Sequence, residues 1–277
     1  MNIIETEALC CGYDDETVLR DVSIGFPKGK MTFVLGANGA GKSTLFLTLN
    51  GIIRPSSGRV IFNGEPVKYD KRSIRKIREK IGLVFQDPDD QLFCPSVYED
   101  IMFGAVNMGL DEHEVRRRAE AAMELTGTAE LRHKSVHALS CGQKKRAAIA
   151  GVLVMEPEVM ILDEPTAGLD PAGTSEIMKA LDDIRRERDI TVIISTHDMD
   201  MAPVFAEHVC LLDNGSAVFC GGAEELFREP RLLREHGLRL PRVAHLLEIL
   251  NKRDGVDVDP GAATISAARR ELLRALN

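Results

Sequence analysis

The segment GANGAGKS at residues 36–43 constrains the fold of this chain more than any other feature. An apolar stretch at residues 32–35 precedes it and a helical pattern at residues 44–49 follows it. Strand, glycine-rich loop and helix in this order are typical of a phosphate-binding loop, in which backbone N–H groups turn towards phosphate oxygens at a helix N-terminus. The sequence therefore predicts a nucleotide site formed by Gly36, Ala37, Asn38, Gly39, Ala40, Gly41, Lys42, Ser43 and Thr44.

A second apolar stretch, Val159–Leu162, ends in the acids Asp163 and Glu164. The carboxyl ends of parallel strands meet at one edge of a sheet, so we expect these acids beside the loop. Lys42 would reach the β and γ phosphates, Asp163 and Ser43 would hold Mg²⁺, and Glu164 would polarise the water that attacks the γ phosphate. Acids at strand ends are common in any case, because loops are polar, so this interpretation depends on the loop.

The segment LSCGQ at residues 139–143 begins a helix that we expect to run to about Met155. Ser140 and Gln143 match a capping box, which alone would explain them structurally. Free N–H groups at a helix start also attract anions. Two anion sites in one chain suggest that two chains share each nucleotide, with Ser140, Gly142 and Gln143 of one chain facing the loop of the other.

Together these motifs resemble the ATPase subunits of ABC transporters, over residues 3–220 or so. The resemblance implies that Tyr13 stacks on adenine, that residues 167–170 form the D-loop, and that Glu164, His197 and Gln86 are catalytic. It also implies ATP with Mg²⁺, the metal being held by Ser43, Gln86 and Asp163. Taken singly, Tyr13 is equally a surface aromatic, Gln86 a loop amide and His197 a satisfied histidine at a strand end. Cys141 stands where most family members have glycine.

Residues 86–93, QDPDDQLF, and the C-terminal appendage resemble the energy-coupling factor type, especially the cobalt and nickel importers. This resemblance implies a second ATPase subunit in a homodimer, a transmembrane coupling component and a substrate-capture membrane protein, at the cytoplasmic face of the membrane. We expect Asp87, Asp89 and Asp90 to contact basic residues of the membrane partner, unless this acidic loop only caps the helical insert. A conventional importer fed by a binding protein and a vitamin transporter of the same type remain open.

The fold class implied is α/β: a P-loop ABC ATPase core with an N-terminal antiparallel β subdomain, an inserted α-helical subdomain and a small C-terminal region. Strands are predicted at residues 3–9, 18–26 and 31–35, and the helical insert at about 88–138. The ATPase domain is predicted to span residues 1–222. Residues 223–277 are expected to serve dimerisation or regulation, because their last helix has an apolar face that needs a partner.

Composition narrows the function classes. The net charge of −8 argues against nucleic acid as the main partner. Apolar stretches are too short to span a bilayer, and the N-terminus lacks a secretory pattern, so we expect an intracellular soluble chain. Six scattered cysteines without a CxxC motif, and without a histidine pair at zinc-like spacing, indicate reduced thiols instead of disulfides or metal ligands.

Overall fold

The computed structural model of the chain describes residues 1–14 and 16–276, and the strands within them form two sheets. The strands are β1 (Asn2–Tyr13), β2 (Glu16–Val22), β3 (Gly25–Pro27), β4 (Met31–Leu35), β5 (Ser57–Phe62), β6 (Glu65–Pro66), β7 (Ile81–Val84), β8 (Val159–Leu162), β9 (Thr191–Thr196), β10 (His208–Asp213) and β11 (Ser216–Gly222). The helices are α1 (Lys42–Leu49), α2 (Lys71–Lys80), α3 (Val97–Asn107), α4 (Glu112–Thr126), α5 (Cys141–Leu153), α6 (Pro171–Arg188), α7 (Ala202–Phe205), α8 (Ala223–Phe227), α9 (Pro230–Glu235), α10 (Arg242–Lys252) and α11 (Ile265–Leu276).

The first sheet is antiparallel and is built around β1, which pairs with β2, β3 and β5. The predicted single strand at residues 18–26 is wrong, because β2 and β3 pair with different stretches of β1. The Thr6 side chain bridges the break between them: its hydroxyl donates to the Val22 carbonyl at 2.8 Å and accepts from the Ile24 N–H at 3.1 Å.

The second sheet has the strand order β11-β10-β4-β9-β8-β7, and only the β10–β11 pair is antiparallel. Every residue of β8 and β9 is buried, which confirms the predicted parallel sheet covered on both faces. Side chains of β4 alternate between two cores: Phe33 lies with the helices and Val34 with the antiparallel sheet and α1. The parallel order brings the carboxyl ends of β4, β9, β8 and β7 to one edge.

Between β7 and β8 the chain forms the helices α3, α4 and α5, with short 3-10 turns at Pro88–Asp90, Ala129–Leu131 and Val136–Ala138. Side-chain caps begin these helices: Asp111 accepts from the Glu114 N–H at 3.0 Å, and Ser140 with Gln143 forms a full capping box. Among the described bonds Asp111 lacks the reciprocal half of a capping box, since the Glu114 carboxylate binds Arg117 and Arg118 instead.

The C-terminal residues divide between two cores. Phe227 of α8 and Leu233 of α9 belong to the same core as the main sheet, whereas Leu247, Val258 and Ala268 form a small core of their own. The buried carboxylate of Glu248 on α10 ties the two parts together, because it accepts from Arg234 of α9 at 2.9 Å and from Lys252 at 2.7 Å.

The apolar face predicted for α11 is covered only in part. Ala268 is buried, but Ile265 and Leu276 are 77% and 82% exposed.

Two of the six cysteines meet across the β10–β11 hairpin, where Cys210 is paired with Cys220 and their sulfurs lie 2.8 Å apart. The Cys210 thiol lowers the pKa of Cys220 to about 5 by hydrogen bonding, while burial raises the pKa of Cys210 well above its usual value. His208 lies beside them. Both thiols are free, in keeping with the expectation of reduced thiols, although strand register brings together two cysteines that lie ten residues apart in sequence.

No helix in residues 1–14 and 16–276 combines the length and the apolar character needed to cross a membrane.

Candidate active site

The last residue of the loop between β4 and α1 must be glycine. Gly41, the N-cap of α1, has φ 100°. A Cβ atom there would lie 2.8 Å from Cδ2 of Leu19, so any side chain would also clash with the antiparallel sheet. Leu45 donates its N–H to the Gly41 carbonyl at 2.9 Å, which starts the helix directly behind the loop. The loop therefore presents a helix N-terminus to the cleft.

Lys42 is buried within the loop, with only 7% of its surface exposed. Its Nζ donates to the carbonyls of Gly36 at 2.8 Å and Ala37 at 3.0 Å. Burial lowers the pKa of Lys42, although the charges of Glu164 and Asp163 oppose that shift. A desolvated cation next to glycine N–H groups is suited to bind phosphate oxygens.

Asp163 and Glu164 follow β8 directly, next to the end of β9. Ser195 of β9 fixes both: its hydroxyl donates to the Asp163 carboxylate and accepts from the Glu164 N–H at 2.9 Å. Lys145 of α5 donates to the Glu164 carbonyl at 3.1 Å. These bonds hold the two acids at the carboxyl edge of the sheet.

Glu164 has φ 42°, in the left-handed region. A side chain other than glycine in this region costs about 1–3 kcal/mol, and such strain is found mainly at functional sites. Its carboxylate lies 3.1 Å from Nδ1 of His197, and the Glu164 side chain is 11% exposed against 61% for His197. The strained backbone thus aims a nearly buried carboxylate at an exposed imidazole.

Many of the predicted site residues line two adjoining clefts. One, of about 500 Å³, is lined by Val18, Asn38, Gly39, Gly41, Lys42, Ser43, Thr44, Gln86 and Glu164. The other, of about 510 Å³, includes Ser43, Gln86 and Asp163, the three predicted Mg²⁺ ligands, together with Cys141. The Tyr13 hydroxyl lies 3.5 Å from Oγ1 of Thr44, so the predicted adenine platform is next to the loop.

At the start of α5, Cys141 lines the second of these clefts together with Ser43 of the loop. Ser140, Gly142 and Gln143 line neither of these clefts. Ser140 and Gln143 bond to each other, the Ser140 N–H donating to Oε1 of Gln143 at 3.1 Å. Gly142 instead lies against the D-loop, since a Cβ atom on it would sit 3.6 Å from the Leu169 side chain.

Sequence reasoning missed three residues that position the site. Ser195 and Lys145 fix the two acids. Gln91 holds the loop that carries Gln86, because its Oε1 accepts from the Phe85 N–H at 3.0 Å. Lys145 is buried although it lies in a polar turn of the helix, so nothing in the sequence distinguishes it from its partly exposed neighbours.

Comparison with known proteins agrees with this geometry. A family model described as ABC transporter matches residues 19–167. The energy-coupling factor transporter ATP-binding protein EcfA2 of Clostridium perfringens (strain SM101 / Type A) is 50% identical over 271 residues, which are 98% of this chain and 95% of that protein. The EcfA protein of Methanocaldococcus jannaschii is 50% identical over 277 residues, covering 100% of this chain and 99% of that protein.

Solved structures are also similar. The structure of cbiO1 from Clostridium perfringens, part of the ABC transporter complex cbiONQ, matches with a TM-score of 0.78 and 51% identity over 90% of this chain and 99% of that chain. A dimeric post-hydrolysis structure of the ATP-binding cassette MJ0796, bound to ADP and Pi, matches with a TM-score of 0.71 and 25% identity over 79% of this chain and 98% of that chain.

Proposed function

This chain belongs to the ABC transporter family, as an ATPase subunit of the energy-coupling factor type, and on that basis we propose that it energises the uptake of cobalt or nickel by an importer. Its own reaction is ATP hydrolysis. The observation that carries the proposal is the QDPDDQLF loop at residues 86–93, which joins the active-site cleft at Gln86 to an exposed aromatic pair at Phe93. Uptake of a vitamin by a transporter of the same type, or a conventional binding-protein-dependent importer, is the alternative.

We assign the cofactor and catalytic roles as follows. Ser43, Gln86 and Asp163 offer hydroxyl, amide and carboxylate oxygens to one cleft, the donor set that Mg²⁺ prefers. Mg²⁺ bound there with ATP would neutralise phosphate charge. Lys42 and the N–H groups of the loop bind the phosphates, and Tyr13 stacks on adenine.

Glu164 then acts as the base that polarises the attacking water. Its strained backbone, the Ser195 hydroxyl and the Lys145 ammonium hold it in place, and His197 orients the carboxylate from the solvent side. Gln86 lines the same cleft and would position the water opposite. A base within hydrogen-bond reach of water and held rigidly suits in-line attack on the γ phosphate.

We further propose that two copies of this chain share each ATP. Ser140, Gly142 and Gln143 line neither cleft of their own chain, and a second subunit would bring its γ phosphate to this helix N-terminus. Loss of that phosphate on hydrolysis would remove the charge that both surfaces bind, and the dimer would open.

The membrane partner would dock in an apolar groove between α2, α3 and the Gln86 loop. Phe93 and Phe103 are 61% and 46% exposed there and contact each other edge to face, with ring centroids 4.8 Å apart. Lys71, Arg75 and Arg78 of α2 line the same groove of about 570 Å³. We propose that a helix of the transmembrane coupling component fills it, with apolar side chains on the aromatic pair and acidic ones towards α2. In this proposal the chain lies peripherally at the cytoplasmic face of the membrane.

This assignment changes the expected role of the acidic loop. Asp89 pairs with Lys144 at 2.6 Å, and Asp87 accepts from the Asp89 N–H at 2.9 Å. Two of the three acids therefore stabilise the loop. The charges of α2 that line the groove are three cations and Glu79, which pairs with Arg75 at 3.2 Å, so the excess charge is positive.

Uptake measurements test the proposal and the groove together. In cells that lack the native subunit, accumulation of radioactive cobalt or nickel should return with the wild-type chain. The Phe103→Ser variant should restore little uptake, because loss of a central aromatic contact costs about 2 kcal/mol, roughly 30-fold in affinity for the partner. Its basal ATPase activity as an isolated chain should stay near wild type.

The matched control is Val106→Ser on the same helix, since Val106 is 56% exposed but lies outside the groove. It should restore uptake fully. Unchanged cobalt and nickel accumulation in the absence of the chain, with a fall in vitamin uptake, would favour the alternative substrate. Equal uptake with Phe103→Ser and wild type would remove the groove from the docking surface.

The C-terminal region would serve dimer contact or regulation, and we propose that its separable part begins near Pro241, after the residues that share the main core. The exposed ends of α11 are its candidate contact.

Replacing Ile265 and Leu276 by serine in the full chain should weaken association without nucleotide, because apolar area buried between subunits is lost. Sedimentation across a dilution series measures this, with Val204→Ser, a change at a 60% exposed apolar residue elsewhere, as control. Identical profiles for the double variant and wild type would exclude α11 from the interface.

A further inference from the structure

Three side chains with soft donor atoms meet at the edge of the main sheet, away from the nucleotide clefts. His208 and Cys210 lie on β10, and Cys220 lies on the neighbouring β11. Residues two apart on a strand point to the same face, and the register places Cys220 directly opposite Cys210. One ligand atom from each residue lies within 4.8 Å of the other two. The hairpin therefore brings two sulfurs and one imidazole close together.

The surroundings of His208 do not explain its position by ordinary packing. Its Nδ1 is buried without a hydrogen-bond partner in the described part of the chain. Its Nε2 lies 4.0 Å from Sγ of Cys220. Nε2 is thus the ring atom beside the Cys220 thiol, at a distance longer than a strong hydrogen bond. The unpaired Nδ1 costs about 1–3 kcal/mol, and no contact in the described part of the chain offsets it.

The donor set selects the kind of ligand. Thiolate and imidazole are the ligands that Zn²⁺ prefers, whereas Mg²⁺ and Ca²⁺ prefer oxygen. Zn–S bonds of about 2.3 Å with tetrahedral angles separate two sulfurs by roughly 3.8 Å. The sulfurs at 2.8 Å would move apart by about 1 Å on loading, which the exposed Cys220 on an edge strand allows. Cys210 is buried and Cys220 is exposed, so solvent reaches the fourth position.

A disulfide is the competing use of the two thiols. It would need no imidazole beside it, and thiols in a reducing compartment such as the proposed cytoplasmic side stay reduced. The third donor therefore favours metal binding.

We propose that His208, Cys210 and Cys220 form a Zn²⁺ site, separate from the site of Mg²⁺ and ATP. Binding releases the thiol protons to solvent and forms two Zn–S bonds and one Zn–N bond. The bound ion would cross-link β11 to β10. This cross-link would lie just before the chain enters α8 at Ala223. The thiol of Cys220, which donates to the Gly25 carbonyl of β3 at 3.7 Å, would give up that bond when it loses its proton to bind the ion.

The test uses the full chain, reduced, stripped of metal and free of nucleotide. Titration with Zn²⁺ in competition with a chromophoric chelator should give one equivalent bound, and Zn²⁺ should raise the melting temperature. Co²⁺, used as a spectroscopic probe of the same site, should give a sulfur-to-cobalt charge-transfer band. Cys220→Ser should lose this band and bind Zn²⁺ more weakly by well over 10-fold, since loss even of residues that only support metal ligands costs 10- to 100-fold.

The matched control is Cys10→Ser, which removes a partly exposed thiol outside the hairpin and should keep the stoichiometry, the band and the melting shift. Cys220 is the residue changed because its exposure makes the serine variant tolerable to the fold, and circular dichroism of the metal-free variants verifies this. His208→Ala should also lose the bound equivalent while keeping both thiols, which distinguishes metal binding from simple thiol chemistry. Zn²⁺ affinity in Cys220→Ser within a few fold of wild type, or no cobalt–thiolate band in the wild type, would overturn the proposal.

Discussion

Glu164→Gln should reduce ATP turnover by about 100- to 10,000-fold while leaving ATP affinity within a few fold of wild type, the range expected for loss of a general base. The amide keeps the shape of the side chain and can still contact His197, which lies 3.1 Å from the present carboxylate. It cannot accept the proton of the attacking water. Binding and chemistry should therefore separate in this one substitution.

Single-turnover kinetics with saturating Mg-ATP measures the chemical step, and calorimetry measures affinity. Because the shared γ phosphate is no longer lost, the Glu164→Gln chain should elute as a stable dimer with Mg-ATP and as a smaller species without it. Glu120→Gln, a surface change on α4 at a side chain that is 57% exposed, is the control and should turn over normally. Turnover within tenfold of wild type would show that another group is the base, and a monomer under saturating ATP would contradict the shared-nucleotide arrangement.

Lys42→Ala should weaken ATP binding by about 10- to 150-fold, equivalent to losing a charged hydrogen bond worth about 1.5–3 kcal/mol. In the nucleotide-free chain the Lys42 ammonium donates to the carbonyls of Gly36 and Ala37. Burial already disfavours that charge, as the lowered pKa of Lys42 shows, so its removal should cost little folding stability. The loss should therefore appear in affinity and not in the melting temperature.

Calorimetric titration with Mg-ADP measures the affinity without turnover. Lys42→Arg gives a second reading of the same position: it keeps the charge but needs more room than the loop provides, so it should bind only partly better than alanine. Lys28→Ala, at a residue outside the nucleotide clefts, should bind normally. An affinity for Lys42→Ala equal to wild type would remove Lys42 from the phosphate site.

Much of the nucleotide site could be predicted from the sequence, because its parts are short and contiguous. The loop at residues 36–43 needs glycine at Gly41, where φ is 100° and Leu19 crowds any Cβ atom. The acids Asp163 and Glu164 follow an apolar strand directly. In a parallel sheet the carboxyl ends of the strands meet at one edge, so identifying the two strands in the sequence was enough to predict that the acids lie beside the loop.

Other features depended on contacts between distant residues. Ser195 holds Asp163 and Glu164 across 32 and 31 positions of sequence. Asp89 was expected to face a partner but pairs with Lys144, which is 55 positions away. The division between the main core and the C-terminal unit follows from which residues Phe227 and Leu247 pack with, and they belong to different cores.

The sequence by itself thus determined the P-loop α/β core, the cap at Ser140 and the loop and acids that line the two clefts, because local turn chemistry and strand–helix alternation are encoded in neighbouring residues. The tertiary structure alone decided the strained orientation of Glu164 towards His197 and the gathering of His208, Cys210 and Cys220 on one face of a hairpin. The physical reason is strand register: the two-residue turn at Asn214 and Gly215 pairs Asp213 with Ser216, but an irregularity between Leu211 and Leu212 shifts the pairing by one residue. That shift places Cys220 opposite Cys210 and on the same face.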